Sequence, residues 1–81
     1  MTVGSRHMSM VIEQILSTRR LSHRELSRRT KIPHSTLTDK LNGKTRWYLE
    51  DLFTIADGLD VNPEDLVIEI LRVAEEDSRL R

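Results

Sequence analysis

Apolar positions along the chain fall into blocks with helical spacing, and polar or turn-forming residues separate the blocks. Val11, Ile12, Ile15 and Leu16 recur on one helical face and predict a first helix from about Ser9 to Thr18, with Ser9 as its N-cap. Leu49, Leu52, Phe53, Ala56 and Leu59 form the buried stripe expected of a helix over 49–59, whose first turn carries Glu50 and Asp51. Asn62-Pro63-Glu64-Asp65 is a helix start: a capping residue, a proline at the first helical position and two acids facing the positive end of the dipole. That last helix is expected to reach residue 76 or 77. Of its apolar residues, Leu66, Val67, Ile70, Leu71, Val73 and Ala74 span an arc of about 160°, and Ile68 lies outside it. The arc is wider than one small core needs. It suggests a partner helix, with Leu66, Ile68, Ile70 and Val73 as the expected homodimer surface. The alternative is a helix packed deeply enough to bury the whole arc within one monomer.

Between these blocks the apolar positions thin to Leu26, Ile32, Leu37 and Leu41, and two short helices are predicted. Ser22 and Glu25 make a capping-box pattern before a helix over 23–30. Pro33 forbids its continuation and biases Ile32 away from helical angles, but suits the first position of a second helix ending at Leu41. Asn42-Gly43 closes that helix, glycine being free to take the left-handed conformation. Two short helices joined by a tight turn, the second with a small and polar outer face, read as a helix-turn-helix.

The run Lys31-Ile32-Pro33-His34-Ser35-Thr36-Leu37-Thr38-Asp39-Lys40-Leu41-Asn42-Gly43-Lys44 resembles the turn and recognition helix of the phage lambda repressor/Cro-like DNA-binding domains. The resemblance continues through Leu52, Ile55, Ala56, Leu59 and Val61 and covers roughly residues 10–71. It implies an all-α, five-helix lambda-repressor-like domain. The family's base-contacting positions would fall on His34, Ser35 and Asp39, with Thr36 and Thr38 nearby. Two positions depart from the family pattern. Lys31 stands where glycine is common, which requires a strained lysine at positive φ or a different turn. Ser27 replaces a common alanine, and its hydroxyl is expected to bond back to a carbonyl one turn earlier.

Composition sharpens this picture. The 81 residues carry a formal net charge of zero, but the charge is segregated. Residues 19–48 hold nine bases against two acids, net +7; residues 49–81 hold three bases against ten acids, net −7. The positive block coincides with the two-helix motif, the electrostatic footprint of a polyanion binder. Ser22, His23, Arg24, Arg28, Lys40, Asn42, Lys44 and Arg46 are the candidate contacts to the DNA backbone. If about five phosphates are neutralised, the log–log salt slope should be roughly −4 to −5. Tyr48 offers a hydroxyl for a further phosphate, and Trp47 is expected to pack over the core between the third and fourth helices.

Other chemistry is missing from the chain. There is no cysteine, no Gly-rich phosphate loop and no Ser-His-Asp set, and His7, His23 and His34 lack metal-ligand spacing. No cofactor, no metal and no enzymatic activity are expected. No apolar run approaches the roughly 20 residues of a membrane span, and no secretory leader is visible, so a cytoplasmic protein is expected. Residues 1–8 read as a disordered arm or tag remnant, 9–77 as the DNA-binding domain, with helix 63–77 as a dimer element, and 78–81 as a frayed tail. The reading is a small phage-type or bacterial repressor that binds a palindromic double-stranded operator as a homodimer. The alternative is an interaction module, such as an antitoxin or phage accessory protein, whose main ligand is another protein.

Overall fold

Leu26, Leu37, Ile55 and Leu59 have no exposed surface and belong to one core that every helix supplies. The computed structural model describes residues 4–80, folded as α1 (Ser5–Arg19), α2 (His23–Thr30), α3 (His34–Leu41), α4 (Leu49–Gly58) and α5 (Pro63–Arg79). The fold is all-α, with no strand among the described residues. α1 packs on α3 and α5, α2 on α3 and α4, and α4 on α5.

Local sequence sets the boundaries of the central pair. Ser22 Oγ accepts from the Glu25 N–H at 3.0 Å, as the capping pattern requires. The Glu25 carboxylate turns instead to Arg28, 2.7 Å away, and Arg29, 3.7 Å away. Lys31 takes φ 63°, so the turn keeps its left-handed geometry with lysine in place of glycine, at a cost of about 1 kcal/mol. Ser27 does not bond backward; its hydroxyl donates forward to the Ile32 carbonyl and ties down the turn. Pro33 is the N-cap of α3, and Gly43, at φ 82°, follows its C-cap Asn42. A Cβ at Gly58 would lie 2.6 Å from Thr30 Cγ2, so this glycine lets α4 approach the end of α2.

The first helix corrects the expected start. Residues 5–8 are not an arm: α1 begins at Ser5, and His7 and Met8 are buried. Met8 extends the apolar face of Val11, Ile12 and Leu16 by one turn toward the N-terminus. His7 hydrogen-bonds Asp77 at 3.1 Å and accepts from the Gly4 N–H at 3.2 Å, and Arg6 also pairs with Asp77. Ser9 is therefore an interior residue, not the N-cap. At the other end of the chain, α5 includes Ser78 and Arg79, which were expected to fray. Residues 1–3 and 81, the ends of the expected arm and tail, lie outside the described residues.

The fourth helix differs in which face is buried. Leu52, Ile55, Ala56 and Leu59 are in the core, whereas Leu49 and Phe53 are 76% and 55% exposed. Ile55 occupies the inward position because α2 and α5 both pack on α4 and together select the face. On α5, Leu66, Ile70 and Ala74 are buried and Val73 packs against the core, so Leu66, Ile70 and Val73 are spent within the monomer. The remaining edge of the arc, Val67 and Leu71, and Ile68 beyond it, stay exposed. Of the four residues expected at a dimer surface, only Ile68 is available to a partner.

Candidate nucleic-acid interface

Pro33 bends the chain out of the turn so that α3 presents its N-terminal end to solvent. His34, Ser35 and Thr36, the first three residues of the helix, are all exposed. Leu37 and Leu41 hold the opposite face in the core. Asp39 is half-buried, and no cation lies within ion-pairing distance of its carboxylate among the described residues. The unpaired acid thus remains an acceptor, the chemistry a cytosine amine requires. Thr38 does not join this group. Its Oγ1 is buried and has no hydrogen-bond partner, so the hydroxyl cannot reach a base edge from this position.

The expected backbone contacts divide in two. Arg24, Asn42, Lys44 and Arg46 are exposed, and the three cations among them form no ion pair among the described residues. Arg28 is exposed and pairs only with Glu25, a surface pair contributing about 0.2–1 kcal/mol that a phosphate can displace. Ser22 is exposed at the start of α2 with its hydroxyl used as the cap. His23 instead turns to α1, where its Nε2 meets Glu13 Oε1 at 2.7 Å. The imidazole is thereby committed to holding α2 against α1.

Lys40 is the clearest departure. It was expected to face the DNA backbone, but it is only 8% exposed. Its ammonium donates to the Arg46 carbonyl and to Asp51 Oδ2, each at 2.9 Å, and lies 4.9 Å from the Tyr48 ring centroid and 5.6 Å from that of Trp47. The long apolar stem explains the burial: Lys40 can fill space beside Leu37 and Leu41 while its head finds an acid, a carbonyl and two ring faces. Arg19, at the end of α1, donates to the Leu59 carbonyl just past the end of α4.

The chain was compared with families, curated proteins and solved structures. The model of the Cro/C1-type HTH DNA-binding domain matches residues 11–70. The chain belongs to this family. Neither the curated proteins nor the solved structures gave a match. As a Cro/C1-type domain, the protein is a helix-turn-helix DNA binder, with α2 and α3 as the two short helices joined by the tight turn.

Within this Cro/C1-type domain, contacts that sequence reasoning missed come from Ser5 and Ser9. Both precede the matched segment, and both reach the loop after α3. Trp47 donates its backbone N–H to Ser5 Oγ at 2.9 Å and its indole N–H to Ser9 Oγ at 2.8 Å, and Ser9 donates to the Lys40 carbonyl at 3.1 Å. A signal was present in the chain. Ser5, Ser9, Ile12 and Leu16 follow one helical face, and a buried indole needs an acceptor. Among the described residues no helix is long and apolar enough to cross a membrane.

Proposed function

We propose that this protein is a sequence-specific transcriptional repressor that binds a near-palindromic double-stranded operator as a homodimer. The observation that carries the reading is the exposed leading end of α3: His34, Ser35 and Thr36 stand free beside an unpaired Asp39. Arg24, Arg28, Lys44 and Arg46 lie exposed on either side of them in sequence. His34 can donate to or accept from a purine edge, the two hydroxyls can do either, and Asp39 accepts from cytosine N4. The helix enters the major groove N-terminus first, and the flanking cations fix its register on the phosphates.

One such helix reads too few base pairs to find a site in a genome. A two-fold dimer would set two recognition helices about 34 Å apart, one turn of DNA. The exposed apolar side chains available for this are Val67, Ile68 and Leu71 on α5 and Leu49 and Phe53 on α4. Selecting bound fragments from a random DNA pool tests the reading. A palindromic consensus with half-sites one turn apart is the expected result. A single unrepeated half-site would remove the dimer, and no enrichment at low salt would remove the operator.

The same exposed side chains favour a second reading, a module whose main ligand is another protein. It would be preferred if the random pool gave no enrichment while a stoichiometric protein partner bound and protected Phe53 and Leu71 from solvent.

A further inference from the structure

The loop 42–48 joins α3 to α4 and carries two of the free cations, Lys44 and Arg46. A loop of this length with a glycine at positive φ has many conformations open to it. Its first half is held by backbone bonds, from the Gly43 N–H to the Lys40 carbonyl at 3.3 Å and from the Lys44 and Thr45 N–H groups to the Asp39 carbonyl at 2.9 and 3.4 Å. Four bonds to side chains hold its second half. The Arg46 carbonyl accepts from Lys40 Nζ, the Trp47 N–H donates to Ser5 Oγ, the Trp47 indole donates to Ser9 Oγ, and the Tyr48 N–H donates to Asp51 Oδ2 at 2.8 Å. Lys40 is the centre of this clasp. Its ammonium joins Arg46 to Asp51, its carbonyl accepts from Ser9, and its charge sits under the Tyr48 ring. The clasp ties α1, α3 and α4 to one loop, and its α1 arm lies outside the segment that matches the family.

We infer that Lys40, held by Asp51 and Ser9, is a positioning residue that orders the second half of loop 42–48 so that Arg46 meets a DNA phosphate. This rests on the DNA-binding reading. Lys40 gives no charge to the DNA directly, since its three ammonium protons face a carbonyl, a carboxylate and aromatic faces. Its effect on binding passes through Arg46. A fixed segment presents that cation without the entropy loss of ordering it at the moment of binding.

The experiment measures binding to a short mixed-sequence DNA duplex by fluorescence anisotropy across a sodium chloride series, well below each variant's melting midpoint. In K40M the salt slope is expected to become shallower by about 1, since each phosphate no longer neutralised takes about 0.9 from it. In a background already lacking both cations, K44A/R46A, the same K40M change is expected to leave the slope where it was. Simple removal of one positive charge predicts equal changes in both backgrounds, and that result overturns the inference. So does a folded K40M with the wild-type slope.

D51N provides a second variant that decides the matter if K40M does not fold. Removing an acid near DNA strengthens binding by charge alone, whereas releasing the clasp weakens it. Weaker binding with a shallower slope supports the positioning role, and tighter binding overturns it. Wild-type protein that fails to bind the duplex at low salt would instead sink the DNA-binding reading itself, a result distinguishable from the others.

Discussion

The third and fifth helices each leave one face uncovered, and the two faces are opposite in kind. On α3 the uncovered groups are polar: two hydroxyls, an imidazole and, partly, a carboxylate, with no partner for the acid among the described residues. On α5 they are apolar: Val67, Ile68 and Leu71 continue, on the helix surface, the stripe that Leu66, Ile70 and Ala74 bury. Both helices are otherwise built alike, with aliphatic side chains on the inner face. Exposed polar groups at a helix end in a basic region suit a ligand that is itself rich in donors and acceptors. An exposed apolar stripe beside acidic residues repels nucleic acid and suits another apolar surface. The neutral total charge conceals this division of labour.

The largest effects test whether each helix truly has an inner and an outer face. Leu37→Ala on α3 and Leu66→Ala on α5 remove side chains that are 0% and 2% exposed. Each is expected to cost about 2–5 kcal/mol of unfolding free energy, measured by urea denaturation. Ser35→Ala and Ile68→Ala, on the outer faces, are expected to change it by no more than about 0.5 kcal/mol. An outer-face change as costly as an inner one would break the comparison. Leu71→Asp is expected to shift a dimer to monomers in sedimentation without unfolding it, because Leu71 is already 42% exposed.

The next effects separate reading from holding. Ser35→Ala and Asp39→Ala are expected to change sequence preference, with discrimination at one base pair falling by about 1–3 kcal/mol. Arg28→Ala is expected to weaken all sequences alike and make the salt slope shallower by about 1. Affinity measured on a set of single-base operator variants checks both. Uniform losses across the set for Ser35→Ala and Asp39→Ala would show that α3 holds the duplex without reading it.

Much of this was legible in the chain because it is written locally. Ser22, Pro33, Gly43 and Pro63 act on the residues beside them, and the ends of α2 and α3 and the start of α5 followed from those residues to within a position. At Lys31 the sequence left two alternatives, a strained lysine or a different turn, and the structure takes the first. What could not be read was the choice among partners far apart in sequence. Ile55 replaced Phe53 in the core because two other helices select the face of α4. Lys40 and His23 looked like phosphate ligands by type and position. Both are taken by acids, Asp51 and Glu13, that only the tertiary fold brings near. Ser5 and Ser9 were missed for a different reason: a weakly patterned terminus hid one more helical turn.

The smallest effect concerns the residue where the two kinds of surface meet. Thr38 lies on α3 between the outer positions and the core, and its hydroxyl is buried with nothing to bond. A buried hydroxyl without a partner costs roughly 1–3 kcal/mol, and valine has nearly the same shape without the polar atom. Thr38→Val is therefore expected to raise the unfolding free energy by about 1 kcal/mol, since valine and threonine have about the same helix propensity. Because the hydroxyl does not face the groove, operator preference in the same variant is expected to stay unchanged. The two measurements answer different questions. A stability gain with unchanged preference makes Thr38 part of the inner face. A loss of preference would mean that the helix rotates on DNA to expose the hydroxyl, which would turn the orphaned group into a base contact released on binding and move the boundary between the two faces of α3 by one residue.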